Sequence, residues 1–273
     1  MMPARAILRK HSSGTKKISM SVLTNNEQLR YSRQIMLNQI GEAGQQALRN
    51  AKVLIVGMGG LGNPAALYLA CAGVGTLYIA DGDNIEISNL PRQILFNEDD
   101  LENNKADVAS EKLQQQNPEI NIEVIDEMLD VELGRYYLEL VDLVIDCSDN
   151  IATRYLMNQL CLEHKVPLIV GAATGFDGQH LLVDPRNPDS ACYQCLFPAS
   201  EKAPVNNCQS IGILGPVLAI VAGMQALTAI KLLTANPVTV NQLSLFDGLS
   251  NQWRQFSLNK QVKCPACGQD NKD

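Results

Sequence analysis

A glycine-rich turn with the sequence GMGGLG occupies residues 57–62, directly after the apolar run 53–56. A short apolar run that ends in glycine is typical of a strand buried on both faces of a parallel sheet. Residues 62–73 then predict a helix, because Pro64 falls in the first turn, where proline is tolerated. A strand, a glycine turn and a helix in this order predict the first unit of a doubly wound α/β sheet.

The alternation of strands and helices continues along most of the chain. Predicted helices cover 26–50, 105–116, 131–140 and 151–163, and predicted strands cover 77–80, 120–125, 143–145 and 166–170. After Gly175 the pattern changes to hairpin-like strands, a long apolar helix and two late strands over 243–246 and 252–258. We therefore predict a Rossmann-like, doubly wound and mostly parallel α/β sheet with antiparallel strands in its C-terminal part.

The glycine turn also predicts a nucleotide site. Its glycines let the backbone approach a phosphate, and the amino terminus of the helix supplies amide donors. Asp81 lies 19 residues beyond Gly62, where a carboxylate can accept hydrogen bonds from ribose hydroxyls. A P-loop is excluded, because Asn63 and Pro64 stand where it requires Lys and Ser or Thr. NAD stays open here, although little chain remains for the catalytic domain of a dehydrogenase.

The charge of the chain limits its partners. The formal net charge is −7, which argues against a broad polyanion-binding surface, so we expect no nucleic-acid partner. The first 19 residues carry five basic side chains and no acidic one, and they lack the apolar core of a secretory signal. We predict that residues 1–19 are a disordered basic extension and that residues 20–273 form a single domain.

One segment is long and apolar enough to resemble a membrane span. Residues 211–230 contain no charged side chain, and 20 residues are the length needed to cross a bilayer. Three glycines, a proline and a glutamine interrupt this segment. We predict a buried helix at a subunit contact rather than a membrane span, and therefore no membrane partner.

Four of the eight cysteines form two CxxC pairs, Cys192 with Cys195 and Cys264 with Cys267. Two such pairs predict tetrahedral thiolate coordination of Zn²⁺, and a closed shell of four sulfurs makes the metal structural. A redox CxxC is the alternative, which the presence of two pairs disfavours. Reduced thiols also favour a cytoplasmic location. Three further cysteines in predicted helices or strands are expected in the core: Cys71, Cys147 and Cys161.

Several further motifs follow the glycine turn in a fixed order. They are a D-x-D at Asp81 and Asp83, SNLPRQ over 88–93, Lys105, DCSDN over 146–150 and the two CxxC pairs. With GMGGLG, this set resembles the ubiquitin-activating superfamily, and within it the ThiF/MoeB/HesA family, from about residue 29 to residue 268. The resemblance implies ATP-dependent adenylylation of the C-terminal glycine carboxylate of a ubiquitin-like sulfur-carrier protein ending in Gly-Gly, with release of pyrophosphate.

The resemblance also implies roles for individual residues. The implied ATP and Mg²⁺ site comprises Gly57, Gly59, Gly60, Gly62, Asp81, Asp83, Asn89, Arg92, Gln93, Lys105 and Asp149. Within it, Asp81 holds the ribose, Arg92 and Lys105 contact phosphates together with Asn89, and Asp149 takes part in Mg²⁺ binding. Arg33 corresponds to an arginine that reaches the site of the neighbouring subunit, so a homodimer is implied.

Plainer interpretations of these residues stay open. Arg33 and Arg92 could be ordinary surface charges. Asp149 could cap the helix that begins near residue 151, and Asp146 could do the same or share the metal. Lys105 is unfavourable at a helix amino terminus unless an anion lies nearby. Asn104 precedes this lysine, whereas the family usually has proline at that position.

The resemblance leaves the carrier and the sulfur chemistry open. The stretches 63–81, 92–96, 175–179 and 243–254 favour the thiamin branch, in which a cysteine at the position of Cys208 can link covalently to the carrier. From sequence alone, Cys208 is a free thiol in a polar stretch. The molybdopterin-synthase small subunit is the alternative carrier, and a cysteine desulfurase or another sulfurtransferase is a possible partner. A non-catalytic adaptor is disfavoured, because Arg33, Lys105 and Asp149 are all present.

Overall fold

The computed structural model describes residues 23–198 and 212–268, so the predicted extension 1–19 lies outside the described residues. Its strands are β1 (Lys52–Val56), β2 (Thr76–Ala80), β3 (Asn121–Ile125), β4 (Leu143–Asp146), β5 (Leu168–Thr174), β6 (Asp177–Val183), β7 (Gln242–Asp247) and β8 (Gln252–Ser257). Its α-helices are α1 (Asn25–Arg30), α2 (Ser32–Ile35), α3 (Gly41–Asn50), α4 (Gly62–Ala72), α5 (Lys105–Gln116), α6 (Val131–Leu138), α7 (Ile151–His164), α8 (Tyr193–Leu196) and α9 (Gly215–Leu233).

The eight strands form one sheet in the order β3-β2-β1-β4-β5-β6-β7-β8. The strands from β3 to β5 pair in parallel, and the pairs β5–β6, β6–β7 and β7–β8 are antiparallel. This topology confirms the predicted doubly wound sheet with antiparallel C-terminal strands. The strand order reverses between β1 and β4, which in such sheets is where ligands bind.

Both faces of the parallel half are covered, which explains why its strands are continuously apolar. In β1, Val53 and Ile55 belong to a core that also contains side chains of α4, α5 and α9. Leu54 and Val56 belong to a second core with side chains of α6 and α7 on the opposite face. Burying each such side chain contributes about 1.5–3 kcal/mol, so the alternating faces fix the register of the strand.

The prediction of one helix over 26–50 is wrong, because this stretch forms the three helices α1, α2 and α3. Leu29, Met36 and Leu37 are exposed rather than buried along one helical face, so no continuous apolar stripe holds a single helix against the core. Instead, the buried side chain of Tyr31 marks the end of α1, and its hydroxyl accepts a 2.8 Å hydrogen bond from Asn117.

Two of the three cysteines predicted in the core are buried, Cys147 and Cys161. Cys71 is exposed, so the prediction for this residue is wrong. Cys71 lies near the C-terminal end of α4, whose other residues around it, Leu69, Ala70 and Ala72, face the core. Because the residues next to Cys71 in the sequence are apolar, the sequence does not show that Cys71 lies on the outward face of this helix.

The apolar segment forms α9, which packs against β5, β6 and α4. By length and composition alone α9 could cross a membrane, as core helices of soluble proteins also could, and 39% of its most apolar window is buried. Its buried face includes Val221 and Gln225. An outward apolar stripe, defined here by Pro216, Ala219, Ile220 and Leu227, is exposed in the monomer.

Candidate active site and metal centre

The chain forms a crevice where the strand order reverses. Val56 at the end of β1 pairs with Ala80 of β2 and with Asp146 of β4, so the residues that follow these three strands meet at one edge. A cavity of about 960 Å³ opens there. This volume lies at the upper end of the range that small-molecule and cofactor sites occupy.

The glycine turn is shaped by close backbone contacts. Gly57 has φ +91°, a left-handed conformation that favours glycine, and a Cβ at Gly62 would collide with the carbonyl oxygen of Gly57. A Cβ at Gly60 would lie 2.5 Å from Leu218 of α9. No side chain caps the amino terminus of α4. The amide of Asn63 donates to the carbonyl oxygen of Gly59 at 3.0 Å and Pro64 has no N–H, so an anion in the cavity would meet the backbone of the glycine turn rather than these two positions.

Asp81 and Lys105 place opposite charges in the cavity wall. The carboxylate of Asp81 is buried and accepts hydrogen bonds from the backbone amides of Met58 at 2.7 Å and Asp83 at 2.9 Å. Burial raises the pKa of Asp81, and the positive charge of Lys105 opposes that rise. The ammonium of Lys105 forms an ion pair of 2.9 Å with Asp83, which is largely exposed. A buried cation therefore borders the cavity, where it can meet a phosphate.

Asn104, which occupies the position where the resemblance leads us to expect proline, caps α5. Its side-chain oxygen caps α5 by accepting from the amides of Ala106 at 2.8 Å and Asp107 at 3.2 Å. Its amide group donates to the carbonyl oxygen of Asp81 at 3.0 Å. Asn104 thus starts the helix and also fixes the position of Lys105 next to the end of β2.

The stretch directly after the SNLPRQ segment is joined to the glycine turn by the buried side chain of Asn63. Asn63 donates to the carbonyl oxygen of Met58 at 2.6 Å and accepts from the amide of Leu95 at 2.9 Å. Arg92 donates to the carbonyl oxygen of Ser88 at 2.6 Å and lines the cavity. Gln93 is buried, and its Oε1 has no hydrogen-bond partner among the described residues. An unpaired buried acceptor beside the cavity suits a site that is completed by a ligand.

The DCSDN segment connects β4 to α7. Asp146 is fully buried and accepts from the amide and the hydroxyl of Ser148, at 2.9 and 2.6 Å. Burial raises the pKa of Asp146, and Arg154 opposes that rise. Asn150 caps α7 by accepting from the amide of Thr153 at 2.8 Å. Asn150 therefore takes the capping role considered for Asp149, whose side chain is exposed and lines the cavity.

Most residues of the predicted ATP site line this one cavity: Gly57, Gly59, Gly60, Asp81, Asp83, Asn89, Arg92, Gln93, Lys105 and Asp149. Gly62 and Arg33 are not among its lining residues, and Cys208 lies outside the described residues. Sequence reasoning missed Arg154, which also lines the cavity. Its one signal is its position four residues after Asn150, so that both project from the same end of α7.

The two CxxC pairs, 68 residues apart in the sequence, meet in the folded chain. The four sulfurs of Cys192, Cys195, Cys264 and Cys267 lie within 4.8 Å of one another. Three Sγ–Sγ distances are 3.4, 3.6 and 3.9 Å. Four ligands at about 2.3 Å from Zn²⁺ in a tetrahedron are about 3.8 Å apart, so this cluster fits a structural zinc ion.

The electrostatics of the cysteine cluster also suit a cation. Burial, together with the nearby Cys267 and Cys195, raises the pKa of Cys192. Burial raises the pKa of Cys267 to about 11, with a further contribution from its hydrogen bond with Cys195. In Cys264, burial is outweighed by hydrogen bonds from the backbone amides of Cys267 and Ala266, so its pKa is lowered. A divalent cation would stabilise the thiolates of Cys192 and Cys267, which burial otherwise disfavours. The amide of Gln261 approaches the sulfur of Cys195 at 3.4 Å, as is usual for a metal-bound thiolate.

The model of the ThiF family matches residues 31–266. The chain belongs to the ThiF family. It is 44% identical, over 92% of its own length and 99% of the relative's, to the sulfur carrier protein ThiS adenylyltransferase of Escherichia coli K12. It is 41% identical to the adenylyltransferase and sulfurtransferase MOCS3 of Caenorhabditis briggsae, of which it covers 60%.

Solved structures support the ThiF-family fold. The chain superimposes on E. coli MccB in complex with MccA-N7isoASN with a TM-score of 0.76 at 26% identity, covering 88% of this chain and 74% of MccB. For the structure of MccB with ATP the TM-score is 0.74 at 25% identity, with 87% and 74% covered. An ATP-bound protein therefore shares the fold that forms the cavity.

Proposed function

We propose that this protein transfers AMP from ATP to the C-terminal glycine carboxylate of a ubiquitin-like sulfur carrier, ThiS or its equivalent, and releases pyrophosphate. The observation that carries this proposal is the 44% identity over 99% of the length of the E. coli ThiS adenylyltransferase. The carrier belongs to thiazole synthesis in the thiamin pathway. Residues 20–273 act as a single adenylation domain in this proposal.

The proposed chemistry needs positive charge more than a proton acceptor. The carrier carboxylate is ionised at neutral pH, so one of its oxygens attacks the α-phosphorus without a general base. The bond from that phosphorus to the bridging oxygen breaks, and its electron pair leaves with pyrophosphate. Because an anion must approach a triphosphate, alignment and charge compensation dominate the barrier. Lys105 and Arg92 border the cavity and can supply that charge.

The proposed roles in the ATP site follow from where these residues lie along the cavity. The backbone at Gly59 and Gly60 faces the nucleotide, and Asp81 holds the ribose, since each of its oxygens retains acceptor capacity beyond one backbone amide. Lys105, Arg92 and Asn89 contact the phosphates, while Asp83 and Gln93 support them. Asp149 takes part in Mg²⁺ binding through its exposed carboxylate, and Mg²⁺ compensates phosphate charge when it is bound.

We propose a homodimer in which Arg33 completes the site of the neighbouring subunit. Support comes from Leu29, Met36 and Leu37 in the same N-terminal segment, which are apolar and exposed. The outward stripe of α9 is also apolar and exposed, as expected for a surface that a second copy covers. Arg33 itself is not among the residues that line the cavity of its own subunit.

In the cysteine cluster, Zn²⁺ when bound would have a structural role. Cys192, Cys195, Cys264 and Cys267 would hold it, and four sulfurs leave no open position for a reactant. The bound metal would connect the C-terminal segment to α8. The reduced state of these thiols supports a cytoplasmic location for the protein.

The molybdopterin-synthase small subunit is the second candidate carrier. It is favoured by the MOCS3 relatives, although the chain spans only 60% of the first of them. No sulfurtransferase activity is therefore proposed for this chain. A cysteine desulfurase or another sulfurtransferase would deliver sulfur as a separate partner, and Cys208 would be the position of a covalent link to the carrier.

Carrier-dependent exchange of labelled pyrophosphate into ATP tests this proposal. The zinc-loaded protein is assayed with Mg²⁺ and with each purified carrier in turn. We expect exchange with the thiamin-pathway carrier and much slower exchange with the molybdopterin-pathway carrier. The reverse preference would move the protein to molybdenum cofactor synthesis, and no exchange with either carrier would contradict the proposed activity.

A further inference from the structure

Arg154 connects the active-site loop to the rest of α7. Its side chain lines the large cavity, and Nη2 donates a 2.9 Å hydrogen bond to the carbonyl oxygen of Ser148. The amide and hydroxyl of Ser148 donate to Asp146, as described above. Ser148 is therefore held from both sides, and Asp149 lies between this fixed residue and Asn150, the cap of α7.

Tyr193 lies beside Arg154 on the side of the cysteine cluster. It is buried, it stands between Cys192 and Cys195 in the chain, and its side chain lines the same small cavity as the side chain of Arg154. Its backbone amide donates to Asn158 of α7 at 2.8 Å. The segment that carries the first CxxC pair thus lies against α7, and Arg154 of α7 also contacts the active-site loop.

The contact between α7 and the α8 segment has a second part, which does not involve Arg154. The hydroxyl of Tyr155 donates to the carbonyl oxygen of Phe197 at 3.2 Å. The ring of Tyr193 packs against the rings of Tyr155 and Phe197, at centroid distances of 5.8 and 5.0 Å. The packing of the Tyr193 ring and a hydrogen bond from Arg154 to its hydroxyl can therefore be perturbed separately.

We propose that Arg154 is a positioning residue for adenylylation, and that Tyr193 holds it so that the cysteine cluster fixes the active-site loop 146–150. This role rests on the proposed function, because the loop carries Asp149. A guanidinium can donate to the Ser148 carbonyl and the Tyr193 hydroxyl at once, since its donors form a planar fork. A displacement of about 1 Å at a reacting site can lower the rate about 100-fold, so loss of this connection should appear in kcat.

The first test compares three variants in the pyrophosphate exchange assay with zinc per chain measured in each. Arg154→Lys keeps the positive charge near Asp146 but loses the planar fork, and we expect kcat to fall about 100-fold. Tyr193→Phe keeps the aromatic packing and removes the hydroxyl, and we expect about a tenfold loss. The matched control Tyr155→Phe removes a hydroxyl from the same interface and should stay within about twofold of the wild type.

The double variant Arg154→Lys with Tyr193→Phe tests whether the two side chains act on the rate through one connection or independently of each other. If the tyrosine acts through the arginine, the double variant loses no more activity than Arg154→Lys alone. Losses that multiply, or a control that loses as much as Tyr193→Phe, would overturn the proposal. An inactive wild type would instead contradict the proposed function. The experiment therefore distinguishes a failure of the proposed function from a failure of the positioning role.

Hydrogen–deuterium exchange gives a readout that does not depend on activity. Removing zinc from the wild type with a chelator should speed exchange in the peptide that covers loop 146–150. In zinc-loaded Arg154→Lys the same peptide should already exchange faster, and zinc removal should add little. Unchanged exchange of this peptide after zinc removal would show that the cysteine cluster does not fix the loop.

Discussion

Replacing Lys105 with methionine tests whether the buried cation serves the nucleotide rather than the fold. Methionine keeps most of the buried aliphatic stem and removes the ammonium. The ion pair that is lost joins Lys105 to Asp83, whose side chain is 66% exposed. Pairs with an exposed partner contribute about 0–1 kcal/mol, and Lys105 also favours the ionised form of the buried Asp81, so we expect a fall in melting temperature of about 2–8 °C.

The effect of Lys105→Met on the reaction should be far larger. Removing one donor that stabilises developing charge in a water-poor site costs about 100- to 1,000-fold in kcat. The structural and catalytic effects thus differ by enough to be separated in one experiment. Carrier-dependent pyrophosphate exchange measures the rate, and thermal unfolding of the same sample measures the stability.

Lys112→Met is the matched control. Lys112 lies two turns further along α5, pairs with Asp100 at 3.1 Å and is not among the residues that line the cavity. This variant should lose no more stability than Lys105→Met and should keep its exchange rate. A role of Lys105 at the phosphates is contradicted if Lys105→Met retains more than about a tenth of the wild-type rate, or if Lys112→Met loses as much activity.

Three further predictions concern the metal, the glycine turn and pH. Cys264→Ser should lower the zinc content and the melting temperature, and unchanged zinc would defeat the four-thiolate assignment. In Gly62→Ala the new Cβ meets the carbonyl of Gly57, so the fold should be destabilised by about 1–3 kcal/mol. The same change should weaken ATP binding measured by calorimetry, and an unaltered ATP affinity would contradict this. Burial lowers the pKa of His180 to about 4. In the unfolded chain His180 takes up a proton near pH 6.5, whereas in the folded chain it does so only near pH 4. The free energy of unfolding therefore decreases as the pH falls from about 6.5 to about 4. When the pH is lowered from 7 to 5, the free energy of unfolding measured in urea should decrease by about 2 kcal/mol less in His180→Gln than in the wild type. The same decrease in both proteins would count against a buried neutral histidine.

The parallel half of the fold was predictable because its strands are apolar on both faces. Val53 to Val56 contact two separate cores, and that double burial leaves a continuous apolar run in the sequence. The N-terminal stretch 26–50 was not predictable in the same way. Its interleaved apolar residues include exposed side chains such as Leu29 and Met36, so the pattern suggested a buried face that the fold does not have.

The site residues follow the same logic. Gly57, Asp81 and the DCSDN segment come directly after parallel strands, so the sheet topology brings them to one edge. Arg154 escaped notice because a lone arginine inside a predicted helix resembles an ordinary surface charge. Its proposed role depends on Tyr193, a residue 39 positions later that only the folded chain brings beside it.

Transfer of AMP to the carboxylate of a carrier can be followed directly by incubating the protein with Mg²⁺, a carrier ending in Gly-Gly, and ATP labelled on either the α- or the γ-phosphate. We predict that label from the α-phosphate appears on the C-terminal glycine of the carrier, and that a carrier lacking this glycine stays unlabelled. Transfer of the γ-label, or equal labelling of the truncated carrier, would contradict the account.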